Sequence, residues 1–421
     1  MNMADFERAL AIGRPPNVKK CFPNSRALIV SGKVVDQAML KKGKAMTIAA
    51  NGRNIFVIRG VLKAAQRANA AVIIEIAKSE ATYCPTSMAN IARRVDAVMN
   101  ELGITVPVAV HADHYFIKGQ KDLDWAKHEI PALFEHGITS IAIDASHLPD
   151  DDNLATNIEL GPLIPTWAGY ETEVGEIKGA QGLSTPAEAG FLIKGLNAHS
   201  IVPDWIALNN GTTHGIEATG AGIQVDLTKE IHDALAPYGT SGAQHGTSGN
   251  DSERLRGIAA NTRTTKANVA TALQMIGLGV KVNKFGNAEM VDGEFVKVEG
   301  QGVRDDLWAA MKEYAAKQGW KAGDYKKLNL PFERQMEGLE APVRERMVAA
   351  VEEFVYDLLV NVFNAKDTAD IAIDLINEKN GYDMGVKAQR IEDPAEWTEE
   401  KFRALYATMD VDKGPAGNFD D

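Results

Sequence analysis

From residue 45 onward, short apolar runs alternate with amphipathic helical stretches. In order these are AMTIAA at 45–50, a helical stretch over 55–68, AVIIEIA at 71–77, a helix over 87–102 and VPVAV at 106–110. A helix over 123–136 leads to GITSIAID at 137–144, and a helical stretch to about residue 168 leads to YETEV at 170–174. A proline-started helix over 186–199 precedes WIALNN at 205–210, and a helix over 228–236 precedes TSGAQH at 240–245. A last helix over 266–278 is followed by GVKVN at 279–283. Alternation of this kind marks βαβ units in a parallel sheet, here with eight strands.

Polar residues at the strand ends recur with a usable period. Asp113 to Asp144 is 31 residues, Asp144 to Glu173 is 29, Glu173 to Asn209 is 36, His214 to His245 is 31 and His245 to Asn283 is 38. Eight βα units in a barrel of about 250 residues average about 31 each. The period predicts an α/β fold, a (β/α)8 TIM barrel, with a polar mouth built by strands three to eight. The rival is a doubly wound open sheet, against which stand the count of eight and the lack of GxGxxG after the first strand.

The flanks read differently. Residues 1–44, broken by Pro15, Pro16 and Pro23, are expected to form an N-terminal arm with little chemistry. The barrel is expected over 45–300, with NDSERLRGIAANTRTT at 250–265 as an insertion lengthening the seventh unit. A helical C-terminal extension is expected over 301–421, with helices at 305–318, 342–363, 367–380 and 398–409 and a loose tail, DVDKGPAGNFDD. The helix from Pro342 carries Val343, Met347, Val351, Phe354, Leu358 and Val362 at spacings of three and four, which gives it one face to bury. It could cap the barrel or meet a partner subunit.

Charge narrows the partners. A formal net charge of −12 argues against nucleic acid or an anionic membrane, since both want a basic face. Two cysteines, Cys21 and Cys84, leave no disulfide framework and suit a reducing cytoplasm. The start, MNMADFERAL, lacks an apolar h-region, and no uncharged apolar run of 18 residues occurs, so a soluble, unprocessed cytoplasmic protein is expected.

The chemistry concentrates in VPVAVHADHY at 106–115. In an extended strand His111 and Asp113 share a face and His114 points away, so His114 joins them only if the strand turns out at Asp113. The strand is expected to end there. His114, His214 and His245 fall after strands three, six and seven, and three imidazoles converging at one barrel mouth would leave a metal an open position. For any one histidine a hydrogen-bonded strand end is the simpler reading; the joint periodicity favours a site. His147 follows the fourth strand and could line the mouth, whereas His128, His136, His199 and His232 fall on expected helices and read as surface residues.

With HADH at 111–114, SIAIDASHLP at 140–149, ETEVG at 171–175, THG at 213–215, HGTSG at 245–249 and KVN at 281–283, the chain resembles the class II, metal-dependent fructose-bisphosphate aldolases from about residue 45 to 290. The resemblance implies a lyase that reversibly cleaves fructose 1,6-bisphosphate to dihydroxyacetone phosphate and glyceraldehyde 3-phosphate. It implies His114, His214 and His245 as zinc ligands, Glu173 as a carboxylate at or beside the metal, and Asp113 as the acid/base at the cleaved bond. Ser79, Asp144, Gly215, Gly246, Ser248 and Asn283 are implied around the substrate, a monovalent cation beside the zinc, and a homodimer or homotetramer. A metal rather than a Schiff base is expected, because the lysines noted near strand ends are only Lys281 and Lys284.

The departures concern the substrate. The loop EIKGAQG at 176–182 has Gln181 where the family carries an acid, and Glu176 is the candidate to replace it. IEATGAG at 216–222 follows THG where the family has a lysine, and FGN at 285–287 follows KVN in place of a Thr-Asp-like pair. A related ketose-phosphate aldolase, such as one for tagatose 1,6-bisphosphate, and a catalytically silent metal-binding partner subunit remain as alternatives.

Overall fold

The computed structural model describes residues 2–175, 181–212, 222–247, 250–283 and 286–414. Eight parallel strands close into a barrel: β1 (Thr47–Asn51), β2 (Val72–Ala77), β3 (Val108–Phe116), β4 (Ser140–Asp144), β5 (Gly169–Val174), β6 (Trp205–Leu208), β7 (Ser241–Gln244) and β8 (Thr264–Val269). Thr47 pairs with Lys266 and Ala50 with Val269, which joins β1 to β8, and the β3–β4 pairing completes the cylinder. VIIEIA of β2 is buried throughout, as a strand covered on both faces must be. Helices α1 (Ile55–Ala68), α2 (Ile91–Leu102), α3 (Gln120–Glu135), α4 (Asp150–Leu160), α5 (Pro186–Ala198), α6 (Val225–Leu235) and α7 (Ser252–Asn261) follow the first seven strands. Local signals set their ends: the Asn54 side chain accepts the N–H groups of Phe56 and Val57, left-handed Asn69 stops α1, and Thr185 and Glu188 form a capping box on α5.

The eighth strand is not GVKVN. It is TTKANV at 264–269, so the expected insertion at 250–265 is in fact helix α7 and the start of β8. The pattern misleads because the inner face of β8 carries Lys266 and Asn268, which hide its strand signature, whereas the valines of 279–283 imitate one. Val280 and Val282 instead make isolated antiparallel bridges to Lys297 and Ala288, beside the hairpin of Met290–Val291 and Glu294–Phe295.

The expected N-terminal arm is the floor of the barrel. Ile29 and Val30 pair with Val108 and Ala109 of β3, and the helix Gly32–Lys42 then packs beneath the strands with Val34, Val35, Ala38 and Met39 buried. A side chain at position 32 would meet Ser140 Oγ at 2.7 Å and the Trp205 ring at 3.0 Å, so only glycine lets the helix start this close.

The expected boundary near 300 cuts through the outer ring. Beyond α8 (Thr271–Leu278), the helix α9 (Ala341–Asp357) lies against α1, where Gly60 faces Val351, and Arg256 of α7 donates to the Asn361 carbonyl at 3.2 Å. Residues 341–362 thereby fill the ring position between α7 and α1. The chain then runs under the floor, where Lys387 pairs with Asp36 at 2.6 Å, and climbs to the mouth, where Lys413 pairs with buried Asp150 and packs on Gly182. The tail is therefore docked through Gly414. Among the described residues no helix is long and apolar enough to cross a membrane.

Candidate metal and active site

Strand β3 does not end at Asp113. It continues to Phe116 through a bulge: Ala112 pairs with Ile141 and Tyr115 with Ile143, so Asp113 and His114 together oppose Ala142 alone. His114 takes a left-handed backbone with φ of 42°, a strained conformation for histidine that turns its ring to the same side as Asp113. The turn required by the sequence is present as a bulge within the strand.

Two polar layers result. In the upper layer His245 Nδ1 lies 2.8 Å from His114 Nε2. Behind His245, Nε2 faces Glu171 Oε1 at 2.8 Å; behind His114, Nδ1 faces Asp144 Oδ2 at 3.2 Å and Glu173 Oε1 at 3.1 Å. An ionised carboxylate only accepts, so the outer nitrogens donate toward Glu171 and Asp144; although burial opposes it, Glu173 and Asp113 raise the proton affinity of His114 well above its ordinary value, and its inner nitrogen lies at hydrogen-bond distance from that of His245. Such an arrangement suits a shared cation, and carboxylates behind metal-binding imidazoles are the usual means of fixing their tautomers. Asp113 with His114 and His245, and Glu173 with either His114 and Asp144 or Glu171 and His245, bring ligand atoms close enough to hold a metal ion.

Asp113 is buried beside this pair. Burial works against its ionisation, but the Lys266 ammonium and the imidazole of His114 hold the carboxyl well below its ordinary range. Asn268 Nδ2 donates to both Asp113 oxygens at 3.2 Å. Burial likewise opposes ionisation of Asp144, yet its hydrogen bond to His114 and that imidazole's charge keep it ionised, and Ser146 donates to it through N–H and hydroxyl. Glu173 is pushed up, by burial first and then by the neighbouring Asp144.

The lower layer centres on Lys266 of β8. Its ammonium lies 2.7 Å from Glu171 Oε2, 3.3 Å from Asp113 Oδ1 and 3.1 Å from His111 Nε2, and it reaches Glu75 at 3.2 Å without a well-directed hydrogen bond. Burial lowers its proton affinity, but Glu171, Glu75 and Asp113 reverse the effect and raise it above the ordinary lysine value. It is thus a fixed cation, whereas a Schiff-base lysine needs its affinity lowered. The cluster of Glu75, His111 and Asp113 also has metal-binding spacing, but this ammonium already fills it. Buried His111, with Nδ1 2.7 Å from Ser140 Oγ, is held neutral by burial and by Lys266. Glu75 is raised well above the carboxylate range by burial and by Asp113.

Of the residues expected from the sequence, His114, His245, Glu173, Asp113 and Asp144 come together. Asp144 braces His114 and Ser146. Ser79 starts a single turn at the mouth end of β2, and Gly246 follows His245 with φ of 60°. His147 is half-buried at the fourth strand's exit. Glu176, His214, Gly215 and Ser248 lie outside the described residues. Asn283 is off the barrel, paired with Asn287, because the K-x-N of Lys266 to Asn268, not that of Lys281 to Asn283, supplies the strand. The sequence reading missed Asn268, Lys266, Glu171 and Glu75; the spacing Glu171 to Glu173, two residues on one strand face, was the available signal for Glu171.

The profile of the family described as fructose-bisphosphate aldolase class-II matches residues 33–351. The fructose-bisphosphate aldolase of Staphylococcus aureus strain Mu50 is 31% identical over 196 residues, 47% of this chain and 56% of that protein. The Mycoplasma pneumoniae fructose-bisphosphate aldolase is 30% identical over 191 residues, 44% of this chain and 62% of that one. The match therefore spans little more than half the length of these relatives. The YdjI aldolase of Escherichia coli K12 superposes with a TM-score of 0.54 at 17% identity over 80% of this chain and 97% of that one. The fructose-bisphosphate aldolase of Campylobacter jejuni does so with a TM-score of 0.55 at 18% identity over 81% and 97%, which bears on the fold alone.

Proposed function

Because the chain belongs to the class II fructose-bisphosphate aldolase family, we propose that it is a zinc-dependent aldolase that reversibly cleaves fructose 1,6-bisphosphate to dihydroxyacetone phosphate and glyceraldehyde 3-phosphate. The observation that carries this reading is the approach of His114 Nε2 and His245 Nδ1 to 2.8 Å beside an ionised, buried Asp113, three groups whose ligand atoms lie close enough to hold one metal ion. His114, His245 and Glu173 would hold the ion, with His214 as the third imidazole. A zinc ion held there supplies positive charge against an enediolate.

The chain's own residues do the rest. The Asp113 carboxylate takes the C4 hydroxyl proton; the O–H electrons form the new carbonyl, and the C3–C4 pair passes to the enediolate. Asn268, donating to both oxygens, aims that carboxylate. In the reverse direction Asp113 returns the proton. Glu176 moves the proton at the enediolate carbon, in place of the acid absent at Gln181. Ser79, Gly215, Gly246 and Ser248 surround phosphate and hydroxyls, with a monovalent cation nearby. A homodimer or homotetramer in the cytoplasm is the setting we propose.

Tagatose 1,6-bisphosphate is the second reading, favoured by the altered loop around Gln181. The test is cleavage of a panel of ketose bisphosphates by chelator-treated protein with and without zinc. Zinc-restored cleavage of fructose 1,6-bisphosphate supports the proposal; preference for tagatose 1,6-bisphosphate moves it to the second reading, and no cleavage of any sugar overturns it.

A further inference from the structure

The interior layer beneath the site is ionic where a barrel of this kind is usually filled by Val, Ile and Leu. An ammonium buried among three carboxylates is costly to assemble, and removing one partner of such a set leaves uncompensated charge. Hydrophobic packing would serve a purely structural floor at lower risk. The position of Lys266 suggests what the charge is for.

Lys266 Nζ touches the two parts of the proposed chemistry at once. On one side it lies 3.3 Å from Asp113 Oδ1, the proton-transfer carboxylate. On the other it lies 2.7 Å from Glu171 Oε2, whose second oxygen lies 2.8 Å from His245 Nε2. His111, fixed by Ser140, closes the ring at 3.1 Å and leaves the ammonium no other place to go. Lys266, Asp113, Glu171 and His111 sit on strands and His245 directly follows one, which holds their spacing better than long loops would.

We propose that Lys266 is a positioning residue that ties the acid/base Asp113 to the metal-binding imidazole of His245 through Glu171, so that one buried cation sets both geometries. This rests on the aldolase reading for the role of Asp113 and on the metal reading for His245. Lys266 itself touches no reacting atom. Groups that hydrogen-bond the outer nitrogen of a metal-binding imidazole are worth about 10- to 100-fold in metal affinity, and a misplacement of about 1 Å at the acid/base costs about 100-fold in turnover.

The test uses the full chain in four forms: parent, Lys266→Met, Glu171→Gln and the double variant. Zinc affinity of the metal-free protein is read by competition with a chromophoric chelator, kcat and KM at saturating zinc on fructose 1,6-bisphosphate, and folding by circular dichroism. Lys266→Met is expected to bind zinc about 10- to 100-fold more weakly and to lose about 100-fold in kcat, with KM within about 3-fold because no substrate contact is removed. Glu171→Gln is expected to lose similar zinc affinity and less kcat, and the double variant to lose no more zinc affinity than either single one, as members of one line do. A folded Lys266→Met whose zinc affinity and kcat match the parent overturns the proposal, and so do additive losses in the double variant. If Lys266→Met does not fold, Glu171→Gln decides: parental zinc affinity there overturns it. A parent that binds zinc but cleaves no sugar overturns the aldolase reading, while the affinity series still tests the line from Lys266 to His245.

Discussion

His245 Nδ1 and His114 Nε2 face each other at 2.8 Å, each ring braced from behind by carboxylates, Glu171 for one and Asp144 with Glu173 for the other. Two ring nitrogens this close need a proton or a metal ion between them. Chelator is therefore expected to abolish activity and zinc to restore it, and His114→Ala or His245→Ala to lose the bound metal by elemental analysis. Full activity after exhaustive chelation, or trapping of a substrate adduct by borohydride, would show that the pair serves structure alone.

Asp113→Asn separates proton transfer from metal binding. The variant keeps the two imidazoles, so its metal content should stay near that of the parent. Turnover should fall by about 10² to 10⁴. Near-parental turnover would assign Asp113 to bracing Lys266 and Asn268 only.

Glu176 is assigned from the sequence. Exchange of the pro-chiral hydrogen of dihydroxyacetone phosphate in heavy water isolates its step from bond cleavage. Glu176→Gln is expected to slow this exchange by about 10² or more while leaving zinc bound. Exchange at the parental rate would hand the step to another group.

The crossing of α1 and α9 makes a stability prediction. A methyl group at Gly60 would meet Val351 Cβ at 2.5 Å, so Gly60→Ala should destabilise by about 1–3 kcal/mol. Adding Val351→Ala should return part of that loss, since the two sites share one contact. Denaturant midpoints for the three variants check this, and an unaffected Gly60→Ala would mean that α9 is not a tightly packed member of the ring.

His232 is expected from its helix to be exposed, yet it is buried over Gly242, with Nδ1 accepting the Arg263 N–H at 3.2 Å. Burial, reinforced by Arg263, lowers its pKa to about 4. Because the folded value lies below the unfolded one, the contribution is fully present above about pH 6.5 and is lost as pH falls toward 4. Unfolding measured at pH 7.5 and 4.5 should show on the order of 3 kcal/mol of this loss in the parent and less of it in His232→Asn, whose amide oxygen can replace Nδ1 as acceptor. Equal pH dependence in both would rule His232 out as the source.

The barrel, its seven leading strands and the cluster of Asp113, His114, Glu173 and His245 were legible in the sequence, because strand ends repeat at the spacing of a βα unit and apolar runs announce buried strands. The eighth strand was not. Its inward face bears Lys266 and Asn268, and a strand whose interior is ionic has no apolar alternation to read, while GVKVN at 279–283 imitates one beside the same K-x-N spacing. The closing helix Ala341–Asp357 shows a buried face in sequence but not what covers it, and the floor helix Gly32–Lys42 reads there only as part of an arm. What only the tertiary structure decided is the layer beneath that cluster: Lys266 reaches Glu171 across 95 residues of chain and Asp113 across 153, and no local pattern encodes a contact made by closing a cylinder.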